Sequence, residues 1–356
     1  MSKTASDATI EWLLGEDNPP IRYLTLVSLL GKSSQAAEVR EAQARLMDYP
    51  VTREILEHGP EFWHPEGNGF TKSYQKYRGC FWQMIFLGQF LADGRDPQIA
   101  QGVESILEKR EFVDRRGLQC LTANILGAAI RLGFSDHPVV VEELDVLAQR
   151  ITTGGGIRCE AMGWSLLEHC TMCIPKLILC FAEIPEAERS ESVRKAIEIL
   201  VASLLENHVH VYVSSHRKAW QDVLAAAPKK EDLPKGETVK AWIADQKRKF
   251  LEQQGYGEKA PKPGWLKFGF PLNYNSDILE ALFALSRVGT SMSSALEEPL
   301  RVVRSKMTDQ GTWKLENSLN GKMWADVEEK GKPSKWLTLT ALRVLAHFEG
   351  QGPPAS

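Results

Sequence analysis

Apolar residues recur along most of this chain at helical spacing, and no series of alternating strands stands out. The segment "CFWQMIFLGQFLADGRDPQIAQGVESIL" predicts an apolar helix, a polar turn through Asp96-Pro97, and an amphipathic helix. The segment "CLTANILGAAIRLGFSDHPVVVEELDVLAQRI" repeats this grammar, with His137-Pro138 at the place of Asp96-Pro97. Two further copies follow in "CIPKLILCFAEIPEAERSESVRKAIEILVASLL" and "NSDILEALFALSRVGTSMSSALEEPLRVVRSKM", and the helix "KWLTLTALRVLAHF" closes the series. Spacings of about 40–50 residues fall in the range of helical-pair repeats. In each pair the first helix is apolar nearly all round and must be buried on every side, while the second keeps a charged face for water. Strands are expected for fewer than about 5% of residues, against the usual 20–25%.

Paired helices of this kind build an open solenoid or a closed ring. The turn "DQGTWKLENS", directly after the fourth amphipathic helix, favours closure. Residues 1–58, with the HEAT-like helix "DNPPIRYLTLVSLLG" and Arg22 on its polar side, predict a helical cap. Residues 59–350 then form the ring, and 351–356 a disordered tail. Residues 214–268 break the repeat and are rich in Lys, Pro and Gly; within them "ETVKAWIADQKRKFLEQQG" is an amphipathic helix stopped by Gly255. This insertion reads either as a lid over the ring's mouth or as a plain surface flap.

The repeats, the "DQGTW" turn and the closing "GKPSKWLTLTALRVL" resemble the α/α toroids of terpenoid cyclases and protein prenyltransferases. They are more narrowly similar to uncharacterised prokaryotic squalene-cyclase-like proteins, through "KYRGCFWQ", "CLTANILGAAIRLG" and "FGFPLNYNSDILEAL" as well. The resemblance implies an all-α toroid but no particular activity, because a fold hosts many functions. Two acidic motifs of such enzymes are missing from the sequence: the Asp-x-Asp-Asp acid and the magnesium-binding Asp-Asp-x-x-Asp. No Gln stands six residues before Trp313 either, so a triterpene cyclase working by that acid is not expected.

With 43% apolar and 25% charged residues, the composition is that of an ordinary globular protein. A net charge of -3 supplies no basic field for a nucleic acid. No stretch approaches the roughly 18 uncharged apolar residues of a membrane helix, and the start lacks a secretion signal, which points to the cytoplasm. Six cysteines in 356 residues do not make a disulfide framework.

Aligning the repeats puts Gly79-Cys80, Cys120, Cys170 and Ser276-Asp277 near the starts of apolar helices, where unpaired N–H groups lower a thiol's pKa. In a closed ring these starts would converge on one end of a central cavity. Cys159, Cys170 and Cys173, joined by Cys120 and with His169 in reserve, make a candidate thiolate site for zinc, or alternatively an iron–sulfur cluster. The competing reading is that these cysteines are small buried apolar residues, as Cys180 is expected to be. Asp277 is a candidate acid in an apolar chamber, though Asn275, Ser276 or Asp277 could equally cap a helix. His216 is a candidate acid/base, or a solvated loop histidine. The stretch "KSYQKYRGCFWQ" offers Lys76, Tyr77, Arg78 and Trp82 as a cationic and aromatic seat for an anionic head group with an apolar tail, to which Trp164 would add an apolar wall.

Three functions remain open on this reading. The leading one is an enzyme acting on a small, largely apolar, isoprenoid-like substrate by elimination, isomerisation, cyclisation or group transfer, with Cys120, Asp277 or a bound metal assisting. The others are a non-catalytic toroid that binds a hydrophobic ligand or partner protein, and an iron–sulfur redox protein.

Overall fold

The computed structural model describes residues 6–59, 63, 70–113, 119–153, 170–214, 222–254, 259–262, 264–273 and 275–350. Helices account for 60% and strands for 2%, in line with the apolar periodicity. Four short helices come first: α1 (Asp7–Leu13), α2 (Pro19–Leu24), running on into a π turn over Thr25–Leu29, α3 (Ala37–Ala44) and α4 (Pro50–Leu56). Leu26, Val39 and Ala42 give this cap a small core of its own. The Lys335 ammonium holds it to the rest, 2.5 Å from Asp17 and 5.5 Å over the Trp12 ring.

After α5 (Phe70–Tyr74), the repeat pairs follow as read from the sequence. The apolar members are α6 (Cys80–Gln89), α8 (Gln119–Arg131) and α10 (Ile174–Ala182); their amphipathic partners are α7 (Pro97–Lys109), α9 (Pro138–Thr152) and α11 (Glu191–Glu206). Every residue of α6 from Cys80 to Gly88 is buried. In α9 burial is confined to one stripe that includes Val140, Leu144, Leu147 and Ile151. The polar turns start the amphipathic helices by a common device. Asp96 accepts from the N–H groups of Gln98 and Ile99, His137 Nδ1 accepts from Val139 N–H, and each cap is followed by a proline whose missing N–H costs nothing there.

The insertion carries α12 (Val239–Gln254), and its root is tied by a two-stranded antiparallel ladder of β1 (Tyr212–Ser214) and β2 (Lys259–Pro261). The last pair is α13 (Ile278–Arg287) and α14 (Glu297–Ser305), followed by β3 (Trp313–Lys314), β4 (Pro333–Ser334) and α15 (Lys335–Phe348). Trp313 is fully buried; its indole N–H donates to the Val303 carbonyl and its backbone N–H to Thr338 Oγ1. The "DQGTW" turn thus clamps α14 to α15.

The helices α6, α8, α10, α13 and α15 pack in that order, each against the next. At Gly88 an added Cβ would stand 2.9 Å from Ala128, so glycine allows the close approach of α6 and α8. Residues 351–356, expected to be a disordered tail, lie outside the described residues.

Candidate functional site

The five successive helices all contribute to the wall of a cavity of about 280 Å³, close to the lower limit of ordinary small-molecule sites. Four of them present the same stripe to it. These are Asn124, Gly127 and Arg131 on α8; Lys176 and Leu179, with Glu183 one residue past the end of α10; Glu280, Phe283 and Arg287 on α13; and Trp336, Leu339 and Arg343 on α15. Each set is spaced i, i+3, i+7, which is one face of a helix over two turns. Phe270 and Leu272, from the loop before α13, and Gln89 and Leu91, at the end of α6, complete the wall.

The first position of the stripe forms one tier, the last a second, about 10 Å further along the helices (seven residues at 1.5 Å each). The second tier holds three arginines and one carboxylate. Glu183 accepts from Arg131 Nη1 at 3.0 Å and lies 3.5 Å from Arg287 Nη2. Arg131 Nε also donates to the Gly88 carbonyl at 3.1 Å, and Arg287 to that of Ala182 at 3.0 Å. Burial would raise the Glu183 pKa, but the two guanidiniums outweigh it and hold the carboxylate below its usual range. Arg343 is different: among the described residues no hydrogen bond or ion pair satisfies it, and its guanidinium stands 4.6 Å over the Phe283 ring. Burial, with Arg287 adding to it and Glu183 opposing, pushes its pKa down to about 9, so it is still charged at neutral pH. Three cations against one anion leave two formal positive charges facing the cavity, within a chain of net charge -3.

At the first tier charge is balanced. Lys176 Nζ meets Glu280 Oε1 at 2.5 Å, and both side chains are largely shielded from solvent. The second oxygen, Glu280 Oε2, is buried without a hydrogen-bond donor. Elsewhere on the wall, at the end of α6, Gln89 Nε2 donates to Leu272 O at 3.2 Å and its Oε1 has no donor. Between the tiers the wall is apolar, with Leu179, Phe283 and Leu339, and Phe270 lies stacked on Trp336 at 4.2 Å. A groove between the cap and the ends of α6 and α8 shares Leu91 and Arg131 with the cavity, so the arginine tier lies nearest that entrance.

Of the residues expected at the site, those that are described fall outside this cavity. Asp277, Cys120, Cys173 and Trp82 do sit at or near the starts of the apolar helices, but none of them lines the cavity, which begins further along each helix. Asp277 is the N-cap of α13: one oxygen accepts from Glu280 N–H and the other from Gly269 N–H, each at 2.8 Å. Burial, with Glu280 adding to it, pushes this carboxyl up to about 7 against the two backbone donors and Lys176. The helix-capping reading of Asp277 is the one its contacts support. Trp82 is fully buried and donates to the Tyr74 carbonyl, with Tyr74 and Tyr77 edge-on to it; it is packed core. Lys76 and Arg78 are exposed, Lys76 over the Tyr77 ring at 5.2 Å and Arg78 donating to Lys322 O at 3.4 Å. They form no seat on the cavity.

The third repeat is also displaced. The residue equivalent to Asp277 is Cys173, the N-cap of α10, rather than Cys170, because Lys176 and Glu280 then match. Helix starts do not always make reactive thiols either: burial pushes Cys80, at the start of α6, up to about 11. Cys180 is buried as expected and is pushed up to about 12 by that burial. Cys170 is half-buried and Cys173 buried, and among the described residues no three metal-ligating side chains come together. Cys159, His169, Trp164 and His216 lie outside the described residues. No helix among the described residues is long and apolar enough to cross a membrane.

The arginine tier was the part sequence reasoning missed, although a signal was present. Helices otherwise apolar carry polar residues seven apart in Asn124/Arg131, Lys176/Glu183 and Glu280/Arg287. Comparison with protein-family models, with curated proteins and with solved structures returned no match for the chain.

Proposed function

We propose that the chain is an α/α toroid that binds a compact organic anion in its central cavity. The head group would sit among Arg131, Arg287 and Arg343, and the apolar body against Phe283, Leu179, Leu339 and the Phe270–Trp336 stack. The observation that carries this reading is Arg343: a half-buried guanidinium with no hydrogen bond or ion pair among the described residues, facing a cavity that already has two more arginines. A cation shielded from water without a close counter-charge loses hydration, and a bound anion offsets that loss. Ring closure is supported by Phe90 at the end of α6, 5.8 Å from Trp336 on α15, and by packing of α15 against the Thr25–Leu29 turn. The modest volume favours a short-chain anion over a long isoprenoid. Catalysis on it, as the cyclase resemblance leads one to expect, would fall to the Lys176–Glu280 pair rather than to Asp277, because that pair faces the cavity. A thiolate-bound zinc or cluster would be a separate centre and plays no part in this reading.

Calorimetric titration of the protein with octanoate and with inorganic phosphate tests it. Binding of at least one is expected, weakened at least about tenfold in Arg343→Met, the loss of one charge-assisted contact. A wild-type protein that binds neither would refute the anion reading.

A further inference from the structure

We infer that the anion held by the arginine tier carries a hydroxyl group at its far end, recognised by Glu280 and Lys176. The inference rests on the anion reading above and adds to it the chemistry of the opposite tier. A buried acceptor there lacks a donor, Glu280 Oε2. Leaving such an atom unpaired is unfavourable, the more so for a charged group, and a ligand donor would relieve it. Glu280 and Lys176 line the same cavity as the arginines.

The charge at this tier says which donor. The Lys176 ammonium is already matched by Glu280 at 2.5 Å, so a ligand ammonium would meet a like charge with no spare carboxylate to compensate. A hydroxyl is neutral and has both functions needed here. Its O–H can donate to Glu280 Oε2, and its lone pairs can accept from a remaining N–H of Lys176. The tiers are about 10 Å apart along the helices, and the wall between them is apolar. The ligand class is therefore an ω-hydroxylated short-chain acid or its phosphate counterpart, lying along the cavity axis with its anion towards the groove and its hydroxyl inside.

Octanoate and 8-hydroxyoctanoate, titrated into the full chain, test the inference without any mutation. The hydroxy acid is expected to bind about tenfold more tightly, the size of one hydrogen bond to a charged group. In Glu280→Gln, which keeps the shape of the side chain, the ratio of the two affinities should shrink towards one. In case Lys176 left without its carboxylate unfolds the variant, 8-methoxyoctanoate, which has no O–H to donate, serves as a second probe on the wild type and should lose the advantage. Equal affinities for the two acids in the wild type would overturn the hydroxyl assignment and leave the anion site standing. An advantage that survives unchanged in Glu280→Gln, or that 8-methoxyoctanoate shares, would overturn it too. Failure of both acids to bind, with Arg343→Met indistinguishable from wild type, would instead remove the anion reading on which it rests.

Discussion

Asp277 and Glu280 lie one helical turn apart on α13, both away from bulk solvent, yet they belong to different kinds of region. Asp277 has both oxygens taken by backbone N–H groups, and its work is to start the helix and hold the preceding loop. Glu280 faces the cavity with one oxygen on Lys176 and the other unmatched. The same division separates the helix starts from the helix ends as a whole. Near the starts the charges are matched, Lys176 by Glu280. At the ends Arg131, Glu183, Arg287 and Arg343 leave charge uncompensated. A polar residue whose hydrogen-bonding capacity is filled by the chain is structural, and one left open inside a cavity is a place for water or a ligand.

The sharpest way to break this comparison is Glu183→Gln. It removes the carboxylate from among three arginines and is expected to cost about 3–5 kcal/mol in urea denaturation, the usual penalty for stranding buried charge. Added phosphate should recover more melting temperature in this variant than in the wild type. If phosphate stabilises both equally, the arginines are not the anion site. Asp277→Ala should come next, at about 2–4 kcal/mol, from one lost cap and one orphaned Gly269 N–H. The variant should still bind octanoate as the wild type does; lost binding with intact folding would return Asp277 to the ligand site.

Titration gives a subtler contrast. The Asp277 carboxyl has its pKa raised by burial from the ordinary 3.8 to about 7. The folded chain therefore holds a proton that the unfolded chain has released. Its contribution to stability is complete below about 4 and is lost as pH rises through about 7. Glu183 runs the other way: its lowered pKa gives stability above the ordinary 4.5 that disappears as pH falls. Denaturation midpoints between pH 4 and 7 should then decline with rising pH in the wild type and flatten in Asp277→Asn. A slope unchanged by the substitution would assign the titration to another group. The smallest effect is expected from Arg78→Ala, exposed and remote from the cavity: a change within about 0.5 kcal/mol, with unaltered octanoate binding.

Much of the architecture was legible because burial imposes a period. The all-round apolar runs of α6 and α10 and the one-sided stripe of α9 could mean little else, and Asp96-Pro97 and His137-Pro138 marked helix starts directly. The site was harder to read. Arg131 and Arg287, at the ends of apolar helices, look like the common basic residue of a last turn, and Arg343 like an exposed position on the closing helix. Which face of an apolar helix turns inward depends on its neighbours, and only their packing shows that these positions share one cavity. The aromatics and thiols of "KSYQKYRGCFWQ" and "CTMC" drew attention to the helix starts, where Trp82 and Cys173 are packing residues instead. The error of three residues in aligning α10 had the same origin: Cys170 resembled a cap by type, and Cys173 is the one that occupies the place.

The ladder that joins Tyr212–Ser214 to Lys259–Pro261 fixes the two ends of the inserted segment side by side, at the roughly 5 Å spacing of paired strands. The repeat array therefore experiences everything between Ser214 and Lys259 as a single closed loop. Loop-closure entropy grows only with the logarithm of length, by about 0.6 kcal/mol per doubling. The chain can thus gain or lose tens of residues there at little cost to the repeat array. This is a port at which length can vary between relatives, or a foreign domain can be grafted, without any change in the register of the helices that build the cavity.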